Sequence, residues 1–319
     1  MSERTKVVSM KEAIEDYVRD GDTVYMGGFI QQQPFAAAHE IIRQGIKNLT
    51  ISMSAGLILA DQLVGAGTVK RLITAFTWNP LPAKAHCFER ALIKGTPHEI
   101  ELEEYSILAL ALGYFAGALD LPYVATKTIL GSGFDWQSSK SGVNNRLVFH
   151  RSPINGERVC LIPPMKHDVG IVQVQRSDPY GNAQSWGMEG DTKYGLQSCG
   201  KIIICAEEIV PTEIIMRDPN RTIIPGCRVA AVVEEPWGAH PAPVAGYYDI
   251  DWQYYALYER RTRSEQGFQD FLQKWVYGVK DRREYLSLLG LERINELKAQ
   301  RFECDPVSYG KFAQHLEVR

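Results

Sequence analysis

Four signatures of common enzyme classes are missing from this 319-residue sequence: G-x-G-x-x-G, a Walker A loop, H-E-x-x-H and G-x-S-x-G. Their absence removes the usual support for dinucleotide, nucleoside triphosphate, zinc-protease and α/β-hydrolase chemistry. An excess of charge is missing too. With 35 basic and 38 acidic residues, a formal net charge of -3 gives no electrostatic case for a nucleic-acid partner. The uncharged stretch Tyr105 to Leu119 spans 15 residues, holds Gly113 and Gly117 and runs into Asp120 and Pro122. It is too short to cross a bilayer and reads as a core helix whose glycines let another backbone come close. Six cysteines (Cys87, Cys160, Cys199, Cys205, Cys227, Cys304) form no C-x-x-C pair and have no histidine at metal-ligand spacing, so structural zinc is not expected and they read as buried small hydrophobes. Met1 to Lys6 lack the apolar core of a signal peptide, so a cytoplasmic location is expected.

What is present begins with Thr23-Val24-Tyr25-Met26-Gly27-Gly28-Phe29, a buried strand ending in two glycines, followed by a short loop and Pro34 opening a helix. Glycine permits positive φ and close approach to the backbone N–H groups, and the next helix aims its positive end at the same place. That is a cradle for an acyl or phosphate oxygen. Leu49 to Gly56 repeat the pattern, yet the tip Ser54-Ala55-Gly56 carries no carboxylate, cysteine or histidine to act as nucleophile. The chain reads as half of an active site.

Apolar periodicity alternates between strand-like and helix-like segments, the mark of an α/β fold with a largely parallel sheet covered by helices. Ser9 and Glu12 predict a capping box for a helix with Ala13, Ile14, Tyr17 and Val18 on its apolar face and Gly21 at its end. A second helix is predicted from Pro34, with Phe35, Ala38, Ile41 and Ile42 on one side and Gly45 as its stop. Further strands are expected over 49–53, 69–76, 123–130, 159–162, 169–175, 201–205 and 228–233. Residues 1–243 are expected to form the α/β domain, and 244–319 a C-terminal helical appendage of the same domain, with helices over Trp252–Arg261, Ser264–Tyr277, Arg282–Leu289 and Leu291–Ala299.

Two loops interrupt the rhythm. Gly131-Ser132-Gly133-Phe134 leads into the polar run Gln137 to Gly142, a length of irregular chain that in a compact domain usually has a function or is disordered; Ser177 to Asn182 is turn chemistry in nearly every position.

Several of these segments resemble one family as a set: Gly27-Gly28-Phe29, the helix Pro34 to Gly45, Glu103-Glu104-Tyr105-Ser106, Gly131-Ser132-Gly133, Cys205 to Ile209, Ala231-Val232-Val233 leading to Gly238-Ala239-His240-Pro241, and Trp275 to Gly290. They are similar to the α subunits of class I CoA-transferases of the glutaconate kind, over roughly residues 6–298. The resemblance implies the CoA-transferase (NagB-like) fold and, for partner, a homologous β subunit. It implies that CoA is a substrate, that no cofactor is needed, and that the partner carries the catalytic glutamate. That glutamate attacks an acyl-CoA, passes through an acyl anhydride and becomes a glutamyl-CoA thioester, which a carboxylic or dicarboxylic acid resolves. Superposing Ser54-Ala55-Gly56 on the partner's Glu-Ser-Gly puts Ser54 where the glutamate would be.

On this reading no catalytic nucleophile lies on this chain. Gly27, Gly28, Phe29, Gln31 and Ser54 are expected to bind the oxyanion and acyl group, Gly131, Ser132 and Gly133 to border the acyl pocket, and His240 to be structural beside Pro241. The loop Ile30-Gln31-Gln32-Gln33 is one residue shorter than the family pattern and rich in neutral amides, so a dicarboxylate needs a cation from elsewhere, Arg146 or the partner. Some relatives hydrolyse or decarboxylate CoA thioesters of ring-cleavage or branched diacid type. For those Glu104 is the candidate base, against the plainer reading of Glu103 and Glu104 as acids favouring a helix start.

Overall fold

The computed structural model describes residues 5–78, 84–137 and 146–299. Most of the polar run after Gln137, Cys304 and the last 20 residues of the expected appendage lie outside the described residues.

Strand β1 (Thr23–Met26) sends Val24 and Met26 into one hydrophobic core and Tyr25 into a second, the period-2 pattern of a strand covered on both faces. It is the centre of a parallel sheet. On one side lie β2 (Leu49–Ala55), β3 (Val69–Phe76) and β4 (Glu101–Glu104). On the other lie β8 (His167–Ser177), β10 (Cys199–Ile209) and β12 (Ala231–Glu234), so the order is β12-β10-β8-β1-β2-β3-β4. Two short strands, β9 (Ala183–Gln184) and β11 (Thr222–Ile224), join antiparallel beside the end of β8. A separate antiparallel sheet is made by β5 (Val124–Thr126), β6 (Val148–Arg151) and β7 (Arg158–Ile162), with β7 in the middle.

One face of the large sheet carries α1 (Met10–Tyr17), α2 (Phe35–Gln44), α3 (Leu57–Gly65) and α4 (His86–Lys94). The capping box at α1 is present, with Ser9 Oγ accepting from the Glu12 N–H and Glu12 accepting from the Ser9 N–H at 2.9 Å. Gly45 stops α2 at φ 69°. On the same face pack α9 (Trp252–Thr262), α10 (Glu265–Leu272), a π turn (Gln273–Tyr277), α11 (Arg282–Leu289) and α12 (Leu291–Leu297), whose Tyr254, Tyr258, Phe271, Trp275 and Tyr285 share one core with α2 and α3. The opposite face is covered by α5 (Ile107–Ala118), α7 (Thr192–Gln197) and the small sheet. Gly117 works there as expected, since a Cβ would come within 1.9 Å of the Met165 carbonyl oxygen, and the Met165 N–H donates to the Gly113 carbonyl at 2.9 Å. The remaining helices, α6 (Gly133–Gln137) and α8 (Thr212–Met216), are single turns. No helix among the described residues is long and apolar enough to cross a membrane.

Four expectations need correction. The strand over 123–130 stops at Thr126, because the Thr126 hydroxyl accepts from the Thr128 N–H at 3.2 Å and turns the chain. Glu103 and Glu104 end strand β4 instead of starting a helix. Ser106 caps α5 by accepting from the Ala109 N–H at 3.1 Å, and an acidic strand suits a sheet edge that resists pairing with other chains. The strand expected from residue 228 starts at Ala231, after a 3-10 turn over Gly226–Arg228. Cys227, on that turn, is exposed, whereas the other described cysteines are buried.

Candidate active site at the carboxyl ends of the strands

Parallel sheets bind ligands outside the carboxyl ends of their strands, at the point where strand order reverses. Here that point is the β1 end: the chain steps outward from β1 through β2 to β4, then returns on the other side as β8.

The Gly27-Gly28 turn is shaped by close packing. A Cβ on Gly27 would lie 2.8 Å from Val172 Cβ; one on Gly28, at φ +91°, would lie 2.4 Å from the Gln31 carbonyl oxygen. Both amides are already engaged, Gly27 N–H with Ile171 O at 2.7 Å and Gly28 N–H with Thr192 Oγ1 at 3.2 Å. The expectation that these two amides are free for an oxyanion is therefore corrected. The N–H groups of Phe29, Ile30 and Gln31 have no acceptor among the described residues. Ile30 is a β-branched residue held at φ 68°, a backbone conformation that costs on the order of 1–3 kcal/mol and persists where surroundings enforce it.

The three glutamines after Ile30 are buried and point into the protein. Gln32 Nε2 donates to Gln175 Oε1 at 2.6 Å and Ser185 Oγ at 2.9 Å, and Gln33 Nε2 donates to the Ala55 carbonyl at 2.6 Å, tying the β1 loop to the end of β2. Gln31 is the loosest, with bonds of 3.3 Å to Gln32 and 3.5 Å to the Trp186 carbonyl. Above it lies the glycine-rich loop before α7: a Cβ on Gly187 would meet the Gln31 amide at 2.7 Å, and one on Gly190 the Phe29 Cβ at 2.7 Å.

That loop delivers Asp191, which sequence reasoning missed. Asp191 is 7% exposed and accepts hydrogen bonds from Ser54 Oγ and, at 3.0 Å, from the Tyr25 hydroxyl. No cation lies within ion-pair distance among the described residues, and burial raises its carboxyl above the usual range despite the two donors. Ser54 thus has the carboxylate neighbour it lacks in sequence. Its hydroxyl is nonetheless a donor to a structural acceptor, beneath the surface at 2% exposure. The pair Gly187 and Gly190, both at positive φ, was the readable signal for this loop.

At the edge, Glu103 is buried and accepts from the Tyr105 hydroxyl at 2.5 Å and from Arg146 Nε at 2.9 Å; burial and then this carboxylate push the Tyr105 phenol up to about 12. Arg146, the candidate cation, is thus paired but keeps half its side chain exposed. Glu104 takes no hydrogen bond through its carboxylate among the described residues and lines a hollow of about 230 Å³ with Thr74, Thr77 and Trp78.

Gly131 and Ser132 lie apart, between β5 and α6, and Gly133 is the first residue of α6. Their hydrogen bonds are local, Ser132 Oγ to the Ile129 carbonyl at 2.6 Å and Gly131 N–H to Asp135 at 2.9 Å, and none joins them to the ends of β1 or β2 among the described residues. His240 is fully buried between Asp251, at 2.9 Å, and the Tyr285 hydroxyl, at 2.8 Å. Burial lowers it to about 4, so it is neutral at pH 7 and anchors the C-terminal helices.

Residues 7–235 match the family model described as coenzyme A transferase. The chain is 32% identical over 280 residues to the A subunit of 3-oxoadipate CoA-transferase from Pseudomonas knackmussii, covering 88% of this chain and 96% of that one. It is 33% identical over 306 residues to the A subunit of glutaconate CoA-transferase from Acidaminococcus fermentans, covering 92% and 95%. The crystal structure of glutaconate coenzyme A-transferase from that organism superposes with a TM-score of 0.85 at 32% identity, over 93% of this chain and 96% of the other.

Proposed function

The chain belongs to the coenzyme A transferase family, and on that footing we propose that it is the α-type subunit of a heteromeric enzyme moving CoA between an acyl-CoA and a carboxylic or dicarboxylic acid. The observation that carries the reading is the end of β2. The residue in line with the family's nucleophile is Ser54, and its hydroxyl is committed to buried Asp191. A hydroxyl held beneath the surface at 2% exposure and bonded to a buried acceptor is not presented to a thioester carbonyl, so on this reading the attacking carboxylate belongs to the partner subunit.

In this scheme the partner's glutamate attacks the thioester carbonyl, CoA leaves as thiolate, and an acyl-glutamyl anhydride forms. The thiolate then attacks the glutamyl carbonyl and releases the first acid. The second acid reverses these steps on its own carboxylate. This chain contributes the oxyanion donors, for which the unpaired N–H groups of Phe29, Ile30 and Gln31 are the candidates once Gly27 and Gly28 have turned the backbone. Each such donor, when preorganised, is worth about 3 kcal/mol to the transition state. Arg146 and the hollow beside Glu104 are the elements of this chain available to the acyl body and its distal carboxylate.

A partner is also supported by the surface. Ile107, Leu108 and Leu119 on or just beyond α5, with Phe76 and Trp78 at the β3 end, are each about half exposed and apolar, a face that a second subunit covers. The reading is tested by assaying the co-purified subunits with acyl-CoA, with and without an acceptor acid: acid-dependent turnover supports transfer, and full turnover without acid supports hydrolysis.

A further inference from the structure

On the face of the sheet opposite α5, a cavity of about 560 Å³ opens between α1, α2, the end of β12 and the start of α11. None of its lining residues belongs to the site at the β1 and β2 ends. Its volume is that of a small-molecule site.

Arg282 forms its inner wall at 7% exposure. Its Nε donates to the Trp237 carbonyl at 2.8 Å, its Nη2 to the carbonyls of Trp237 and His240, and its guanidinium lies 4.0 Å from the Tyr285 ring centroid. Its Nη1 is buried without a hydrogen-bond partner, the only such atom on a lining residue among the described residues. No carboxylate among the described residues pairs with this guanidinium: Glu40 is taken by Arg43 at 2.7 Å, and Asp281 caps α11 through the Glu284 N–H at 3.0 Å. The nearby Glu235 makes no hydrogen bond through its side chain among the described residues, and burial lifts it to about 7 although Arg282 and Arg43 oppose the rise. His39 is neutral, lowered to about 3 by burial and then by the two arginines. A buried cation with an unsatisfied donor and no carboxylate at ion-pair distance is costly, and its cost is relieved by an anion. Met10, Ala36, Val233, Pro236 and Leu286 supply an apolar part of the wall, and Ser9, Lys11, Glu234, Lys280 and Arg283 a polar and charged part.

We propose that this cavity is a second binding site, one that takes a small carboxylic acid with a hydrocarbon body, the carboxylate neutralising Arg282 at the inner wall and the body lying against Met10 and Leu286. A single carboxylate suits the site better than a phosphate dianion, because one guanidinium nitrogen is unpaired and the acids Glu40, Glu234, Glu235 and Asp281 line the cavity along with Lys11, Arg43, Lys280 and Arg283. Because Nη1 is itself buried, the ligand seats by displacing the side chains that cover it. The inference does not rest on the transferase reading.

The test is isothermal titration calorimetry of the full chain, co-purified with its partner where one is bound, using hexanoate, with methyl hexanoate as the neutral control. The expected result is saturable hexanoate binding with a Kd of about 1 mM or tighter and no binding of the ester. Arg282→Lys keeps the charge but removes the fork, and weakens binding about tenfold or more. Because Arg282 also ties down two carbonyls, Leu286→Trp serves as a second variant that fills the cavity from its half-buried rim and abolishes binding. Failure of the wild-type chain to saturate overturns the proposal. So does hexanoate binding that Leu286→Trp leaves unchanged, which assigns the acid to the strand-end site.

Discussion

Ser54, the penultimate residue of β2, donates its hydroxyl proton to the buried carboxylate of Asp191, 137 residues further along the chain. With the Tyr25 hydroxyl on the other oxygen, Asp191 holds together the ends of β1 and β2 and the loop before α7.

Replacing that carboxylate separates charge from hydrogen bonding. Asp191→Asn keeps an acceptor and removes a charge that burial disfavours, so unfolding free energy at pH 7 should stay within about 1 kcal/mol of wild type. Asp191→Ala strands two buried hydroxyls and should cost about 1–3 kcal/mol. Urea titrations of the two variants check this; equal losses in both would show that the charge itself is what the fold requires.

Glu207, buried beneath Tyr248, Trp237 and Gln173, is raised to about 7 by burial, against the hydrogen bonds it accepts. A raised acid favours its neutral form in the folded chain. Its stabilising contribution is therefore whole below about 4.5, the unfolded value, and is lost as pH climbs through 7. Between pH 5 and pH 8 the unfolding free energy should fall by a few kcal/mol in wild type and by clearly less in Glu207→Gln. Parallel pH profiles for the two proteins would contradict this.

Local chemistry was legible in the sequence, and long-range chemistry was not. The Ser9–Glu12 box, the Gly45 stop, the close approach at Gly117 and the parallel strands are written within a few residues of where they act. Asp191 was invisible because its partners lie on strands far away in sequence. The Gly28 amide is closed off by Thr192, 164 residues on, which no periodicity reports. Glu103 and Glu104 misled because acidic residues mark helix starts and sheet edges alike, and only the pairing of β4 with β3 decides between them.

The exposed apolar face of α5 should govern assembly. Leu108→Glu together with Leu119→Glu is expected to leave the circular dichroism spectrum unchanged and to reduce co-purification of the partner by about tenfold or more, since buried unpaired charge in an interface core is strongly unfavourable. Undiminished recovery of the partner would mean that it binds elsewhere.

Glu104 distinguishes transfer from hydrolysis. If the partner's carboxylate does the chemistry, Glu104→Gln should change turnover by less than about tenfold. Loss of a general base typically costs about 10²- to 10⁴-fold. A fall of that size, with the fold intact, would favour a hydrolase or lyase in which this carboxylate activates water.

The most direct test of the central claim, that this chain supplies the walls of the site and its partner the nucleophile, is to locate the covalent intermediate. The co-purified subunits are incubated with acyl-CoA, trapped with borohydride or hydroxylamine, and mapped by peptide mass spectrometry. The account predicts modification of a glutamate in the partner and an unlabelled chain here, including the peptide that holds Ser54 and the one that holds Glu104. A modified residue on this chain would contradict it.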